Sequence, residues 1–286
     1  MGANMTKSLA LVYRNDSDDA LSLSQELVTY LKNKGVETVH SFASTELTEG
    51  CFSELAEPPE TVIVLGGDGT YLSATRALVN LNIPLVGVNL GSLGFLTENK
   101  SDEVYSLIDK VLNKQLQENE RSLMDVLVCS KGKQVKSLKC LNDVVIERGA
   151  RSQLVRIKIF SQNHLISDLK ADGLIVSTAT GSTAYNLAAG GPIVFPETKA
   201  FTVTPVAPHS LTSRPIVLPD DHEIRLQLAK GNQFAQLTVD GISVQEIDPS
   251  FEIILKKSKE NLLILKDPFH NYFDLLREKL KFGERA

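Results

Sequence analysis

Thr61-Val62-Ile63-Val64-Leu65-Gly66-Gly67-Asp68-Gly69-Thr70 is the stretch from which the rest of the chain can be read. Its first five residues form an apolar run without alternation, the kind of strand that lies inside a parallel sheet covered on both faces. A glycine-rich turn follows with no spacer, and residues 70–81 continue with a helical pattern. In an open α/β sheet this junction lies at the carboxyl end of a strand, where ligands bind. Three glycines let a phosphate chain approach the backbone, and the free amides opening the helix point at an anion. Asp68 is the odd member. Its charge repels a phosphate unless it faces an acceptor hydroxyl or a metal, so its presence points to group transfer. The competing explanation is a tight turn in which Gly and Asp serve backbone geometry alone.

Upstream, SLALVY at 8–13 reads as a buried strand and the polar residues 15–18 offer helix N-caps. Leu21, Leu27, Val28 and Leu31 then recur at helical spacing up to Gly35, and residues 36–42 form a second short strand. Downstream, 85–88 is another buried strand and 101–112 an amphipathic helix, with Ser101, Asp102 and Glu103 in its first turn. This alternation predicts a doubly wound parallel sheet. Near Arg121 the rhythm changes: 124–130, 144–147, 155–160, 174–177, 201–205, 223–228, 236–239 and 251–256 are short β-rich segments, with one helix after Thr183. Residues 267–282 carry Phe269, Tyr272, Phe273, Leu276 and Leu280 at spacings of three and four, a final amphipathic helix. The expected organisation is an α/β doubly wound parallel-sheet domain over 1–122 and a mainly-β domain over 123–266. A C-terminal helix within 267–286 is expected to pack back on the first domain.

Composition narrows the function classes. The chain has 286 residues, 42% hydrophobic and 23% charged, within the globular range. A net charge of -5, from 30 basic and 35 acidic residues, argues against a broad nucleic-acid surface, although a local basic pocket for phosphates stays open. No run of 18 apolar residues occurs and no signal-peptide pattern opens the chain, so a cytoplasmic protein without membrane attachment is expected. Met1-Gly2-Ala3-Asn4-Met5-Thr6 matches the loose N-myristoylation pattern, which is short enough to arise by chance. Cys51, Cys129 and Cys140 lack a C-x-x-C spacing and read as buried free thiols. Walker A, G-x-G-x-x-G, nucleophile-elbow and H-E-x-x-H motifs are all missing from the sequence, which removes the commoner phosphate-binding and hydrolytic schemes.

Five further segments carry candidate chemistry. Gly91-Ser92-Leu93-Gly94-Phe95-Leu96 is a second glycine-bearing loop at the same sheet edge. Asn142-Asp143 precedes the strand VVIE and alone is an ordinary turn. The segment from Lys170 to Asn186, KADGLIVSTATGSTAYN, sets polar Thr180, Ser182, Thr183 and Asn186 beside Tyr185, hydroxyls and a flat ring suited to a nucleotide base. In it Asp172 can accept from an exocyclic amide. Finally, His209 and Arg214 within TPVAPHSLTSRP are candidates to hold phosphates, and Asp240-Gly241 is a candidate that a hairpin turn explains almost as well.

Taken together these segments resemble the NAD kinase family over nearly the whole chain. The G-G-D-G-T turn alone is shared with diacylglycerol and sphingosine kinases, and a close variant occurs in phosphofructokinases. The resemblance implies transfer of the γ-phosphoryl group of ATP to the 2′-hydroxyl of the adenosine ribose of NAD, giving NADP and ADP, with Mg²⁺ accompanying ATP. By the same resemblance Gly66, Gly67, Gly69 and Thr70 bind ATP phosphates, and Asp68 is catalytic. NAD is implied to be held by Asp68, Gly69, Phe95, Asn142, Asp143, Lys170, Asp172, Thr180, Thr183, Ala184, Tyr185 and Asp240. Phosphate contacts from His209 and Arg214 are also implied, and no metal ligand is assigned. Two departures stand out: many relatives have Glu where Asp143 stands, and Ala179 replaces a common Pro. The family also implies a homodimer or homotetramer built through the β domain, often completing the NAD site across subunits. A lipid kinase sharing the turn remains an alternative, but it calls for a basic or amphipathic membrane-facing surface, whereas this chain is acidic. A non-catalytic NAD or NADP sensor is the other alternative, and Asp68 speaks against it.

Overall fold

Runs of apolar residues with no polar alternation need cover on both faces, and the first part of the chain supplies it with helices. The computed structural model describes residues 6–149, 153–230 and 234–281; residues 1–5 of the myristoylation pattern and residue 282, the expected end of the last helix, lie outside them. Two compact units emerge, residues 1–120 with 262–286 and residues 121–261.

The first unit runs β1 (Ser8–Tyr13), α1 (Asp18–Asn33), β2 (Thr38–Ala43), β3 (Thr61–Leu65), α2 (Asp68–Leu78), β4 (Leu85–Asn89), β5 (Asn99–Lys100) and, after a 3₁₀ turn at Ser101–Glu103, α3 (Val104–Leu112). The strands pair in parallel in the order β2-β1-β3-β4, with β5 alongside β4. Leu9, Leu11, Ile63, Leu65, Val86 and Val88 from the sheet meet Leu27 and Leu31 of α1 and Val104, Leu107, Ile108 and Val111 of α3 in one core. The first helix is bounded as its sequence demands. Ser17 accepts from the Ala20 amide at 3.2 Å, and Asp18 and Asp19 favour the positive end of the dipole. At its other end Gly35 takes φ 92°, Val36 N–H donates to Leu31 O at 3.1 Å and Gly35 N–H to Lys32 O at 3.0 Å, which is a Schellman ending.

The second unit contains most of β6 (Gln117–Ser130) and of β17 (Phe251–Lys266) and, between them, β7 (Lys133–Cys140), β8 (Asp143–Arg148), β9 (Val155–Ser161), β10 (His164–Ala171), β11 (Gly173–Thr178), β12 (Ala200–Val206), β13 (Ile216–Pro219), β14 (Ile224–Leu228), β15 (Ala235–Val239) and β16 (Ile242–Ile247). The short helix α4 (Tyr185–Ala188) follows a 3₁₀ turn at Thr180–Thr183. One antiparallel set runs β10-β9-β14-β17 and the other β13-β12-β11-β8-β15-β16. Ile157, Ile159 and Leu226 of the first and Val144, Ile146, Leu174, Val176, Val203 and Leu237 of the second share one core, so this is a two-layer β unit. Three hairpins use two-residue turns with both central φ positive, at Lys131-Gly132, Gln162-Asn163 and Asp240-Gly241. In the first unit, Ile264 near the end of β17 pairs in parallel with Leu85, and α5 (Tyr272–Leu280) closes the described chain.

Several expectations change. Strands β7, β10, β13 and β16 fall where no strand was expected, and β17 runs to Lys266, not 256. The last helix begins at Tyr272, capped by Asn271, so Phe269 lies before it and is 91% exposed; Leu275 takes a buried place beside Tyr272 and Leu276. Of the cysteines, Cys140 is buried while Cys51 and Cys129 are half-buried. Among the described residues no helix is long and apolar enough to cross a membrane.

Candidate active site

In the first unit two loops leave the carboxyl ends of the neighbouring strands β3 and β4. Gly66 must be glycine because a Cβ there would sit 2.5 Å from the Thr70 hydroxyl oxygen. Gly67 and Gly69 are different. A Cβ on either would meet nothing within 4 Å, and neither has the positive φ that favours glycine. Nothing inside the fold asks for a missing side chain at these two positions, whereas a ligand approaching the backbone does. Gly67 is also the N-cap of α2 and provides no side-chain acceptor, so the first turn of this eleven-residue helix keeps uncapped amides for an anion.

Asp68, the first residue of α2, turns its carboxylate onto the second loop. Its Oδ1 accepts from Leu96 N–H at 3.1 Å, Thr97 N–H at 3.2 Å and the Thr97 hydroxyl at 3.2 Å; Oδ2 accepts from Phe95 N–H at 3.1 Å. The acid thus joins the G-G-D-G turn to the G-S-L-G-F-L loop, a role its position in the sequence did not disclose. Gly94 makes this possible, since a Cβ there would lie 2.0 Å from Asp68 Oδ1. The half-buried Phe95 ring lies under the Lys279 ammonium at 4.5 Å, a cation–π pair. Thr70 is buried against Gly66.

In the second unit the turn into β8 and the end of β11 build a polar cluster. Ser177 Oγ donates to Asn142 O at 3.1 Å and Thr178 N–H to the same oxygen at 2.9 Å. Gly181 presses on the Asn142 backbone, where a Cβ would approach the carbonyl oxygen to 2.0 Å. Asn142 Oδ1 and Thr180 Oγ1 are buried and find no hydrogen-bond partner among the described residues. Buried polar atoms are ordinarily paired, so these two keep hydrogen-bonding capacity that the described residues leave unused. Tyr185 beside them is exposed at 42% and its amide donates to the buried Asp143. Thr183 and Ala184 are half-buried on the same turn.

Burial, and then the charge of Asp240, push the Asp143 carboxyl up to about 7, against the Tyr185 amide. Burial also raises Asp240, opposed by the donors around it. Those donors are Leu141 N–H at 2.8 Å, Asn142 N–H at 2.7 Å, Asp143 N–H at 3.2 Å and the Cys140 thiol at 3.1 Å. Asp240 is therefore both the hairpin residue, at φ 45°, and the acceptor that holds the Asn142-Asp143 turn. Ser182 and Asn186 are wholly buried and satisfied: Asn186 donates to Ser182 O and Pro192 O and accepts from Thr202 and Thr204, so both are structural.

The remaining expected residues group elsewhere in the unit. Asp172 pairs with Arg148 Nε at 3.1 Å. Lys170, His209 and Arg214 line a cavity of about 420 Å³ with Asp168 and Ser210, and Arg214 donates to Leu211 O and Ser213 O of its own loop. Asn142, Asp143 and Thr180 do not line that cavity. Sequence reasoning missed Asn89 and Thr97 behind Asp68; the signal was an Asx turn, with Asn89 Oδ1 accepting from Gly91 N–H at 2.7 Å.

Comparison with known proteins bears on both units. Residues 9–116 match the ATP-NAD kinase N-terminal domain and residues 141–266 the ATP-NAD kinase C-terminal domain. An NAD kinase of Bdellovibrio bacteriovorus is 44% identical over 97% of this chain and 93% of its own length, and one of Koribacter versatilis is 38% identical over 98% and 99%. Among solved structures, yeast NADH kinase complexed with NADH superposes with a TM-score of 0.89 at 24% identity, covering 99% of this chain and 89% of that one. An NAD kinase from Archaeoglobus fulgidus in complex with ATP gives 0.74 at 23% identity, covering 96% and 98%. At those identities the two structures bear on the fold.

Proposed function

The chain belongs to the ATP-NAD kinase family and is a kinase that phosphorylates NAD with ATP, and from that premise we propose which residues do the work. The γ-phosphoryl group of ATP passes to the 2′-hydroxyl of the adenosine ribose. Gly66, Gly67 and Gly69 bring backbone close to the ATP phosphates, and the uncapped amides of α2, that of Thr70 among them, face their charge. Asp68 accepts the hydrogen of the 2′-hydroxyl through Oδ2, the oxygen with a single loop donor. As the hydroxyl oxygen bonds to phosphorus, the bond from phosphorus to the β,γ-bridging oxygen breaks, ADP leaves and the proton passes by way of Asp68 to solvent. Orientation and charge neutralisation carry most of the rate, so Asp68 acts as much by aiming the nucleophile as by taking its proton.

Asn142, Asp143, Thr180, Thr183, Ala184 and Tyr185 hold the dinucleotide, with Phe95, Lys170, Asp172 and Asp240 as further contributors and His209 and Arg214 on phosphate. The observation that carries this reading is the pair of orphaned atoms, Asn142 Oδ1 and Thr180 Oγ1, one an acceptor for an amine or hydroxyl and the other able to donate or accept. Among the described residues no group of three or more His, Cys, Asp or Glu forms a metal cage. Magnesium carried in on the ATP phosphates would keep several waters and few protein ligands, and would supply charge neutralisation there. The protein works in the cytoplasm as a homodimer or homotetramer; exposed apolar side chains on the outer strands β10 and β13 fit assembly through the β-rich unit.

The test is NADP formation from ATP, magnesium and NAD by purified protein, read through an NADP-specific dehydrogenase, with NADH and polyphosphate assayed beside them. Asp68→Asn should lower kcat by about 10²-fold or more with little change in NAD binding. A variant with unaltered turnover removes Asp68 from the mechanism.

A further inference from the structure

Asp68 does not hold its position alone. Behind it lies a buried chain of hydrogen bonds whose direction is fixed at one end by the backbone. Gly91 N–H can only donate, and it donates to Asn89 Oδ1 at 2.7 Å. That assigns the other end of the Asn89 amide, Nδ2, as a donor, and it donates to Thr97 Oγ1 at 2.8 Å. With an acceptor site of its oxygen so used, the one hydroxyl hydrogen of Thr97 is left to point at Asp68 Oδ1, 3.2 Å away. Asn89 and Thr97 are 5% and 0% exposed, so water does not compete for these bonds. The fold makes room for them: Gly87 in β4 has no side chain where a Cβ would sit 2.8 Å from the Thr97 methyl and 2.9 Å from the Tyr71 ring.

We propose that Thr97, aimed by Asn89, is a positioning residue for the phosphoryl transfer: it ties Asp68 Oδ1 and so leaves Oδ2 turned toward the acceptor hydroxyl. This rests on the reading of Asp68 given above. Three donors converge on Oδ1 and one on Oδ2, so the carboxylate is oriented asymmetrically, and the Thr97 hydroxyl is the only side-chain donor among the four. The three backbone amides fix the carboxylate on the loop, two on Oδ1 and one on Oδ2. The hydroxyl, fixed in direction by Asn89 and in place by packing on Gly87, ties one particular oxygen.

The experiment is a set of variants in steady-state NADP formation: Thr97→Val, Thr97→Ser, Asn89→Asp, Asp68→Asn and the double variant Asp68→Asn/Thr97→Val. Thr97→Val keeps the shape and removes the donor; kcat should fall about tenfold or more while KM for ATP stays within about twofold, the signature of misaimed chemistry. Thr97→Ser restores the hydroxyl and should recover kcat to within about threefold. Asn89→Asp keeps the acceptor for Gly91 but cannot donate, so the Thr97 hydrogen is drawn to residue 89 and away from Asp68; its kcat should fall as in Thr97→Val. Added to Asp68→Asn, Thr97→Val should cost nothing further. The inference is overturned if Thr97→Val turns over at the wild-type rate, if serine is as slow as valine, or if valine costs the same factor with and without Asp68. Should Thr97→Val not fold, Asn89→Asp decides with Thr97 intact, and wild-type turnover there overturns the inference. Wild-type turnover of Asp68→Asn alone sinks instead the reading of Asp68.

Discussion

Thr180 separates binding from stability within one residue. Its hydroxyl is buried without a partner among the described residues, so Thr180→Val, which preserves shape, removes a desolvated polar atom. The ligand-free variant should melt at or above the wild-type Tm, by up to about 1 kcal/mol of added stability. Saturating NAD should raise its Tm less than it raises that of the wild type; an equal rise would mean the hydroxyl never meets the dinucleotide. Asp143 makes a complementary case through pH. Its carboxyl titrates near 7 in the folded protein and near 3.8 when unfolded, because burial and Asp240 disfavour its charge. Between those values the native state binds the extra proton, so this group's contribution to stability is full below about 3.8 and is lost as pH rises through about 7. Asp143→Asn should therefore gain in Tm relative to the wild type between about pH 5 and about pH 8, in melts without ligand. A constant difference would show that Asp143 is already ionised throughout. These behaviours were not legible in the sequence. Asn142-Asp143 and Asp240-Gly241 both satisfy ordinary turn chemistry, and only burial reveals that one carboxylate holds the turn that presents the other.

At the scale of elements, two glycines that look alike in sequence should respond with opposite sign. Gly69 sits in the first turn of α2 with open space where its Cβ would be, so Gly69→Ala should hold or raise stability by about 0.5–1 kcal/mol through helix propensity while raising KM for ATP. Gly181 lies against the Asn142 carbonyl, and Gly181→Ala must displace that backbone, lowering stability by roughly 2 kcal/mol or more and Tm with it. Thermal melts and ATP titrations of both variants check the pair; a Gly69→Ala protein with wild-type KM would show that no phosphate approaches there. The elements themselves were legible in proportion to their burial. Strands β1, β3 and β4 are nearly continuous apolar runs, and α1 announces its start at Ser17 and its end at Gly35. Strands β7, β10, β13 and β16 bury at most two side chains each, so no sustained apolar alternation marks a buried face. Within β17 the polar stretch from Lys256 to Asn261 hides a strand whose pairing is set by neighbours far away in sequence.

On the scale of the whole molecule, those same poorly signalled strands matter most. An outer strand leaves unpaired backbone donors and acceptors, and proteins cover, twist or charge such edges to prevent adventitious pairing. Here β10 exposes Leu165 and Ile166, and β13 exposes Ile216 and Val217, each at the outer end of its own sheet. Ile166 and Ile216 both line the cavity that contains Lys170, His209 and Arg214, so the apolar edges and the basic side chains share one face of the β-rich unit. A second copy of the chain, brought to this face under two-fold symmetry, would present matching edges and cover the apolar side chains, and on the proposed function this is where the subunits would meet. Sedimentation velocity at micromolar concentration should then report a species of two or four chains. Placing lysine at both edges, Ile166→Lys with Val217→Lys, should shift it toward the single chain, because like charges then meet across the symmetry axis. A wild-type protein that sediments as one chain at every concentration tested, or a double variant whose assembly is unchanged, would move the subunit contact away from these strands.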